Sequence, residues 1–217
     1  MPVMLDAKDA AETIELLEEN YPDSHYYLNF KTPVDLLVAA ILSAQTKDEI
    51  VNRSTPALFD RYRTAKDYAN ADLKELEDCV KSVSFAGNKA RNIIKACNII
   101  AKDYDGKVPD SMDALLKLPG IGRKTANTIL INAYGIVDGI PVDTWVIKIS
   151  NRTGLSISAK PDLIEEDLKR IVKRKYWRNF AYVMKAHGHA ICKSVVPVCS
   201  QCFLNGMCRR NGVTRSD

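Results

Sequence analysis

The chain has no long apolar run: its longest, VDLLVAAIL at residues 34–42, falls far short of the ~20 residues that cross a bilayer. Its first ten residues, MPVMLDAKDA, lack a basic start followed by an apolar stretch, so neither export nor membrane anchoring is expected. Sustained alternation of apolar and polar residues is missing too, which removes the all-β classes and leaves no sheet of consequence. There is no internal repeat, no low-complexity stretch and no Pro- or Gly-rich linker, so any two halves must be closely packed. Charge of one sign is also scarce. With 31 Lys and Arg against 27 Asp and Glu the formal net charge is +4, compatible with a polyanionic partner but insufficient to identify one.

What is present is helical. A chain of 217 residues, 46 % of them hydrophobic, can bury a substantial core in one domain or two compact halves. Apolar residues recur at spacings of three and four, as in Ala10, Ile14 and Leu17, in Ile93, Cys97 and Ile100, and in Ile164, Leu168 and Ile171. Helix starts agree: Thr32-Pro33 precedes VDLLVAAILSAQ, Asn70 precedes ADLKELEDCV and Asn88 precedes KARNIIKACNII. About ten helices are expected. Residues 34–44 are apolar almost all round, which predicts a central helix buried on every side, with its polar end, Ser43 to Asp48, emerging near a cleft. The basic run KRIVKRKYWR at residues 169–178 reads as a solvated helix face, with a nucleic-acid contact as the alternative.

Residues 118–130, LPGIGRKTANTIL, combine a tight turn with an Arg-Lys pair. Pro119 fixes the entry, and Gly120 and Gly122 permit positive φ or close backbone approach. Ser111 reads as the N-cap of a helix before the turn and Gly135 as the stop of one after it, giving helix, hairpin, helix. The amides and positive dipole end at the start of the second helix can hold an anion such as a phosphate. A Gly-rich helix connection without a ligand is the alternative.

Four of the six cysteines follow the pattern Cys192-x6-Cys199-x2-Cys202-x5-Cys208. With no export signal, disulfides are not expected. One loop-rich segment with uneven intervals departs from the paired short hooks of structural zinc sites, and four thiolates suit a [4Fe-4S] cluster. Spacing alone leaves iron-sulfur, zinc and unmetallated thiols open. A bound group would order PVCSQCFLNGMC, which has too few large apolar residues to fold alone. Cys79 and Cys97 lie on apolar helical faces and read as buried reduced thiols. His187 and His189 precede Cys192, but His187 shares a face with Phe180, Met184 and Ile191, which favours a hydrogen-bonded core histidine. His25 belongs to no constellation.

Three stretches, LPGIGRKTANTIL, VDTWVIKISNR at residues 142–152 and the 6-2-5 cysteine spacing, together resemble the endonuclease III branch of the helix-hairpin-helix DNA glycosylases. ILSAQTKD at 41–48 and SVSFAGNKARNIIKAC at 82–97 extend the resemblance over nearly the whole chain. It implies an all-α fold of two closely packed helical domains with a DNA-binding cleft between them. Residues 26–136 would form a six-helix barrel bearing the helix-hairpin-helix, and residues 1–25 with 137–217 the domain bearing the cluster loop. It also implies a [4Fe-4S] cluster on Cys192, Cys199, Cys202 and Cys208. The implied partner is double-stranded DNA with a damaged base or abasic site, bound by a monomer. That places the protein in the cytoplasm at the nucleoid of a prokaryote, or in a eukaryotic nucleus.

By matched position, Lys124 is the family's nucleophile and Asp143 its catalytic carboxylate. A lysine amine can attack C1′ of the deoxyribose, displace the base and form a Schiff base, after which β-elimination cuts the strand on the 3′ side. Only the neutral amine attacks, and partial burial and the helix's positive end are expected to favour it. Asp143 also reads as the N-cap of TWVIKISNR, and a capped carboxylate can stabilise positive charge growing on the sugar. Gln45 and Phe85 match intercalating positions that fill the space left by a flipped base; a helix cap and a core aromatic are their respective alternatives. Asp48 matches an acidic position near the pocket. Pro119, Gly120, Ile121, Gly122 and Arg123 would meet DNA at the hairpin, and Lys193 would meet a phosphate from the loop between the first two cysteines. Trp145 stands at a DNA-contact position where the family generally has histidine after Val-Asp-Thr.

The implied activity is that of a bifunctional DNA glycosylase and abasic-site lyase removing oxidised pyrimidines from duplex DNA. A monofunctional mismatch (T or U) glycosylase of the same fold, using water, is a second reading, against which Lys124 argues. A non-catalytic zinc-containing DNA-binding module is the third.

Overall fold

The computed structural model describes residues 2–217 and holds no strand among them. Its α-helices are α1 (Ala7–Asn20), α2 (Pro33–Ser43), α3 (Asp48–Arg61), α4 (Ala65–Ala69), α5 (Leu73–Cys79), α6 (Ala86–Asp103), α7 (Met112–Leu115), α8 (Arg123–Ile129), α9 (Thr144–Thr153), α10 (Pro161–Ile171) and α11 (Phe180–Ala190). The chain divides into two compact units, residues 27–138 and a unit joining the N-terminal segment up to Tyr26 with Gly139–Asp217. No helix among the described residues is long and apolar enough to cross a membrane.

In the unit of residues 27–138, α2 is the hub, with α3, α6 and α8 packed against it. Thr32 and Asp35 close a capping box: the Thr32 hydroxyl accepts from Asp35 N at 3.1 Å and the Asp35 carboxylate from Thr32 N at 3.0 Å. Pro33 then supplies the helical φ of the first position. Every residue from Val34 to Leu42 is buried, and burying each large aliphatic side chain contributes about 1.5–3 kcal/mol. A charge at Leu37 would have no water and would break this packing.

Two expected helix starts move. Asp72, not Asn70, caps α5, accepting from Glu75 N at 2.9 Å; the Asn70 amide instead donates back to Lys66 O at 3.0 Å and closes α4. Helix α6 begins at Ala86, before Asn88, whose side-chain oxygen is occupied by Arg91. Helix α7 is also shorter than the pattern suggests, and the Ser111 hydroxyl makes no capping bond.

In the other unit, α1 starts from Asp6, whose carboxylate accepts from Asp9 N at 2.8 Å, and buries Ala10, Ile14 and Leu17. It packs against α10 and α11, and α9 packs against α10 and α11. The basic run is largely solvated, as its composition suggests: Arg170, Lys173, Arg174, Lys175 and Arg178 are exposed. Lys173 pairs with Glu15 at 2.7 Å, and Lys169 and Arg174 lie 5.6 and 5.0 Å from the centre of the buried Trp177 ring, where their stems and charges pack on its faces.

Candidate active site and thiol cavity

The hairpin is made by two consecutive tight turns, Leu118 N to Leu115 O at 3.0 Å and Ile121 N to Leu118 O at 3.1 Å. Gly120 sits at φ +85°, and a Cβ there would also stand 3.1 Å from the Asn92 side-chain nitrogen, so glycine is required for both conformation and room. The Ile121 side chain is buried and anchors the turn; only its backbone is left to meet a ligand. Gly122 is the extended N-cap of α8, and Ala126 N is bonded back to Gly122 O at 2.9 Å, so the first-turn amides point out of the helix end. Pro119 and Arg123 are half-buried. Lys124 lies in this first turn and is exposed, so the partial burial expected of it is absent. Past Ile129 the helix widens into a π turn, Leu130–Tyr134, and stops at Gly135 with φ +69°.

Asp143 caps α9. Its Oδ1 accepts from Trp145 N and Val146 N, each at 2.9 Å, which fixes the half-buried carboxylate in place and leaves Oδ2 without a hydrogen bond from the described residues. Trp145 is half-buried, its ring centre 5.0 Å from that of His189 and 5.6 Å from Lys148 Nζ.

Gln45 and Phe85 are both exposed, Phe85 at 63 %, which removes the core-aromatic alternative. Both also carry positive φ, +54° and +59°, an uncommon conformation outside glycine. Asp48 opens α3. The buried Lys89, which sequence reasoning missed, donates to Leu42 O and to Thr46 Oγ1 beside Gln45, and Thr46 Oγ1 in turn accepts from Ser84 N beside Phe85.

Cys192, Cys199, Cys202 and Cys208 line one small pocket that is partly open to solvent. Arg152, His187 and Leu204 also line it, and no carboxylate does. None of the four is disulfide-bonded. Among the described residues no three Cys, His, Asp or Glu side chains group closely enough to hold a single metal ion. Burial pushes the Cys202 thiol up to about 11 and raises Cys208. His187 is a buried core histidine, held down to about 4 by that burial; its Nδ1 is 3.1 Å from the Tyr21 hydroxyl and its Nε2 3.8 Å from Cys202 Sγ. His189 is exposed, Cys97 is buried with its thiol pushed up to about 12, and Cys79 is only half-buried.

Arg152, another residue that sequence reasoning missed, holds the loop that starts at Cys192. Its guanidinium donates to Cys192 O at 3.1 Å, Lys193 O at 2.8 Å and Ser194 O at 2.9 Å, and lies 3.4 Å from Cys192 Sγ. Lys193 is exposed at the start of this loop.

Residues 38–174 match the model of the HhH-GPD superfamily base excision DNA repair proteins. The chain is 45 % identical over 199 residues to endonuclease III of Synechocystis sp., covering 92 % of this chain and 91 % of that protein. It is 38 % identical over 207 residues to endonuclease III of Bacillus subtilis, covering 95 % and 94 %. Its fold superposes with a TM-score of 0.91 on a trapped endonuclease III–DNA covalent intermediate, 38 % identical over 95 % of this chain and 97 % of that one. With the family model spanning most of the chain and relatives of this identity matching it almost end to end, the chain belongs to the HhH-GPD superfamily of base excision DNA repair proteins, in its endonuclease III branch.

Proposed function

We propose that this protein is a bifunctional DNA glycosylase and abasic-site lyase that removes oxidised pyrimidines from duplex DNA, with Lys124 as nucleophile. The observation that carries this reading is an exposed lysine in the first helical turn after a glycine turn, in a chain that superposes on endonuclease III trapped covalently on DNA. The outward amides of the hairpin hold a backbone phosphate, placing the adjacent amine by a sugar. The Lys124 amine bonds to C1′ as the bond to the base breaks; the amine's proton is lost, and ring opening gives an iminium. Loss of a C2′ proton then expels the 3′ phosphate.

Asp143 acts as the carboxylate that stabilises the cationic sugar. Two amides fix its Oδ1, so its orientation is set before substrate arrives. Gln45 and Phe85 fill the stack when the damaged nucleotide leaves it. Asp48 lines the pocket, and Pro119, Gly120, Ile121, Gly122, Arg123, Trp145 and Lys193 make the remaining DNA contacts, Ile121 through its backbone.

The donor set fits a [4Fe-4S] cluster: all four sulfurs line one pocket, and no carboxylate lines it with them. Cys192, Cys199, Cys202 and Cys208 would hold the cluster, which when bound ties the C-terminal loop together and stabilises the thiolates. Burial disfavours free thiolates at Cys202 and Cys208, and bound iron would offset that cost. The unit containing α1 and Gly139–Asp217 is then the cluster domain and residues 27–138 the hairpin domain. On this reading the protein acts as a monomer on the DNA of the nucleoid.

Borohydride reduction during turnover tests this. Duplexes carrying thymine glycol, dihydrouracil, uracil or an abasic site are reacted, and the adduct is located by mass spectrometry. A sugar remnant on Lys124 is expected; an active protein that yields no adduct is the water-using glycosylase instead.

A further inference from the structure

Lys89 is the only buried lysine among the described residues, at 5 % exposure, and no carboxylate there pairs with it. Its Nζ donates to Leu42 O at 2.7 Å and to Thr46 Oγ1 at 2.8 Å. Leu42 O belongs to the last turn of α2, where Thr46 N bonds to Ser43 O at 3.1 Å instead of continuing the helix. The ammonium therefore caps the negative end of α2. Thr46 Oγ1 also accepts from Ser84 N at 3.1 Å. One ammonium and one hydroxyl thus join the end of α2, the turn after it and the turn leading into α6. Gln45 precedes Thr46 and Phe85 follows Ser84, and both of these neighbours are exposed and carry positive φ. Such strained positions persist only where the surroundings over-determine them.

We propose that Lys89 is a positioning residue that locks the Gln45 turn and the Phe85 turn into one preformed wedge, so that both side chains enter the duplex together as a damaged nucleotide leaves the stack. The inference rests on the intercalating roles assigned above to Gln45 and Phe85. Opening a stacked pair is costly, and a wedge that had to be ordered at that moment would add its own conformational cost. An apolar side chain of the same length could fill the space of Lys89 but could not hold the two turns together. Burial without a counter-charge also lowers the amine to about 8.

The full-length protein tests this with Lys89→Met, Thr46→Val, Thr46→Ser and the double Lys89→Met/Thr46→Val variant. One substrate carries dihydrouracil paired in a duplex beside 2-aminopurine; the other carries an abasic site in an unpaired bulge. We expect Lys89→Met and Thr46→Val each to slow single-turnover excision of the paired lesion by about tenfold and delay the 2-aminopurine signal, with less than about twofold change on the bulge. Thr46→Ser should behave as wild type, and the double variant should be no slower than the slower single one. Equal losses on both substrates, or an unchanged paired-lesion rate in folded Lys89→Met, overturn the inference; should Lys89→Met fail to fold, Thr46→Val decides alone. A wild type inactive on both substrates overturns the proposed function and this inference with it, whereas an active wild type with insensitive variants overturns the inference only.

Discussion

The indole of Trp145 in α9 lies so close to Gly188 in α11 that a Cβ built on Gly188 would fall 2.2 Å from Trp145 Cε3 and 2.6 Å from Cζ3. Gly188 is therefore needed for room and not for its backbone freedom. Replacing a mid-helix glycine by alanine ordinarily gains up to about 1 kcal/mol, but overpacking against a ring costs about 1–3 kcal/mol. Gly188→Ala should thus be net destabilising by up to about 2 kcal/mol in urea unfolding, and should turn neutral or favourable in a Trp145→His background. A neutral Gly188→Ala in the native background would show that the indole has somewhere else to go.

The cap that Asp143 makes on α9 can be separated experimentally from the catalytic role proposed for it. Asparagine caps a helix about as well as aspartate, so Asp143→Asn should change stability by no more than about 0.5 kcal/mol while greatly slowing base excision. Asp143→Ala should lose activity and, in addition, about 1 kcal/mol of stability. Full activity in Asp143→Asn, measured under single turnover, would reduce the residue to its cap.

Much of the fold was legible because its signals are local. The run from Val34 to Leu42, apolar but for the capping Asp35, implies a helix with no solvent face, and it is buried at every one of those positions. Thr32, Asp35 and Pro33 marked its start within four residues, and Asp143 marked that of α9. Asn70 and Asn88 misled for the same reason: each has a capping side chain, but Lys66 O and Arg91 take it. Arg152 and Lys89 were not legible at all. Each looks like an ordinary charge in a helical pattern, and its use is decided by partners 40 and 47 residues away. The room that Gly188 gives Trp145 is likewise a tertiary fact with no mark in the pattern of α11.

Arg152 fastens the start of the thiol loop through three carbonyls. Hydrogen bonds from a charged donor contribute about 1.5–3 kcal/mol each where water is excluded, and partial exposure here lowers that to about 2–3 kcal/mol for the set. Arg152→Met should lower stability by about that amount and speed the bleaching of near-visible absorbance in iron-loaded protein. Arg152→Lys should not restore either, because an ammonium cannot present the guanidinium's fork. Bleaching at the native rate in Arg152→Met would separate the loop's anchor from the cysteines' retention of iron.

Lys124 is exposed, so removing its amine should leave the fold alone. Lys124→Gln is expected to melt within about 0.5 kcal/mol of wild type and to bind damaged duplex with nearly native affinity. It should neither nick abasic DNA nor form a borohydride adduct. Nicking at the native rate would assign the chemistry to another residue.

Lys89 ties stability to pH in a direction opposite to that of an ordinary paired lysine. Its amine lies at about 8 in the folded chain against 10.5 for an unburied lysine. Below pH 8 both states are charged, and folding bears the full cost of burying the ammonium. Between about pH 8 and 10.5 the native state releases its proton first, so the unfolded state binds more protons and stability rises with pH. At higher pH both are neutral and the gain is complete. Relative to Lys89→Met, whose other titrating groups are unchanged, the wild type should gain about 2–3 kcal/mol between pH 7 and pH 10.5. Urea unfolding of both proteins across that range measures the difference. A stability gap that stays flat would mean that the amine is hydrated in solution, and the bridge from Leu42 O to Thr46 would then be too loose to brace the turns on either side.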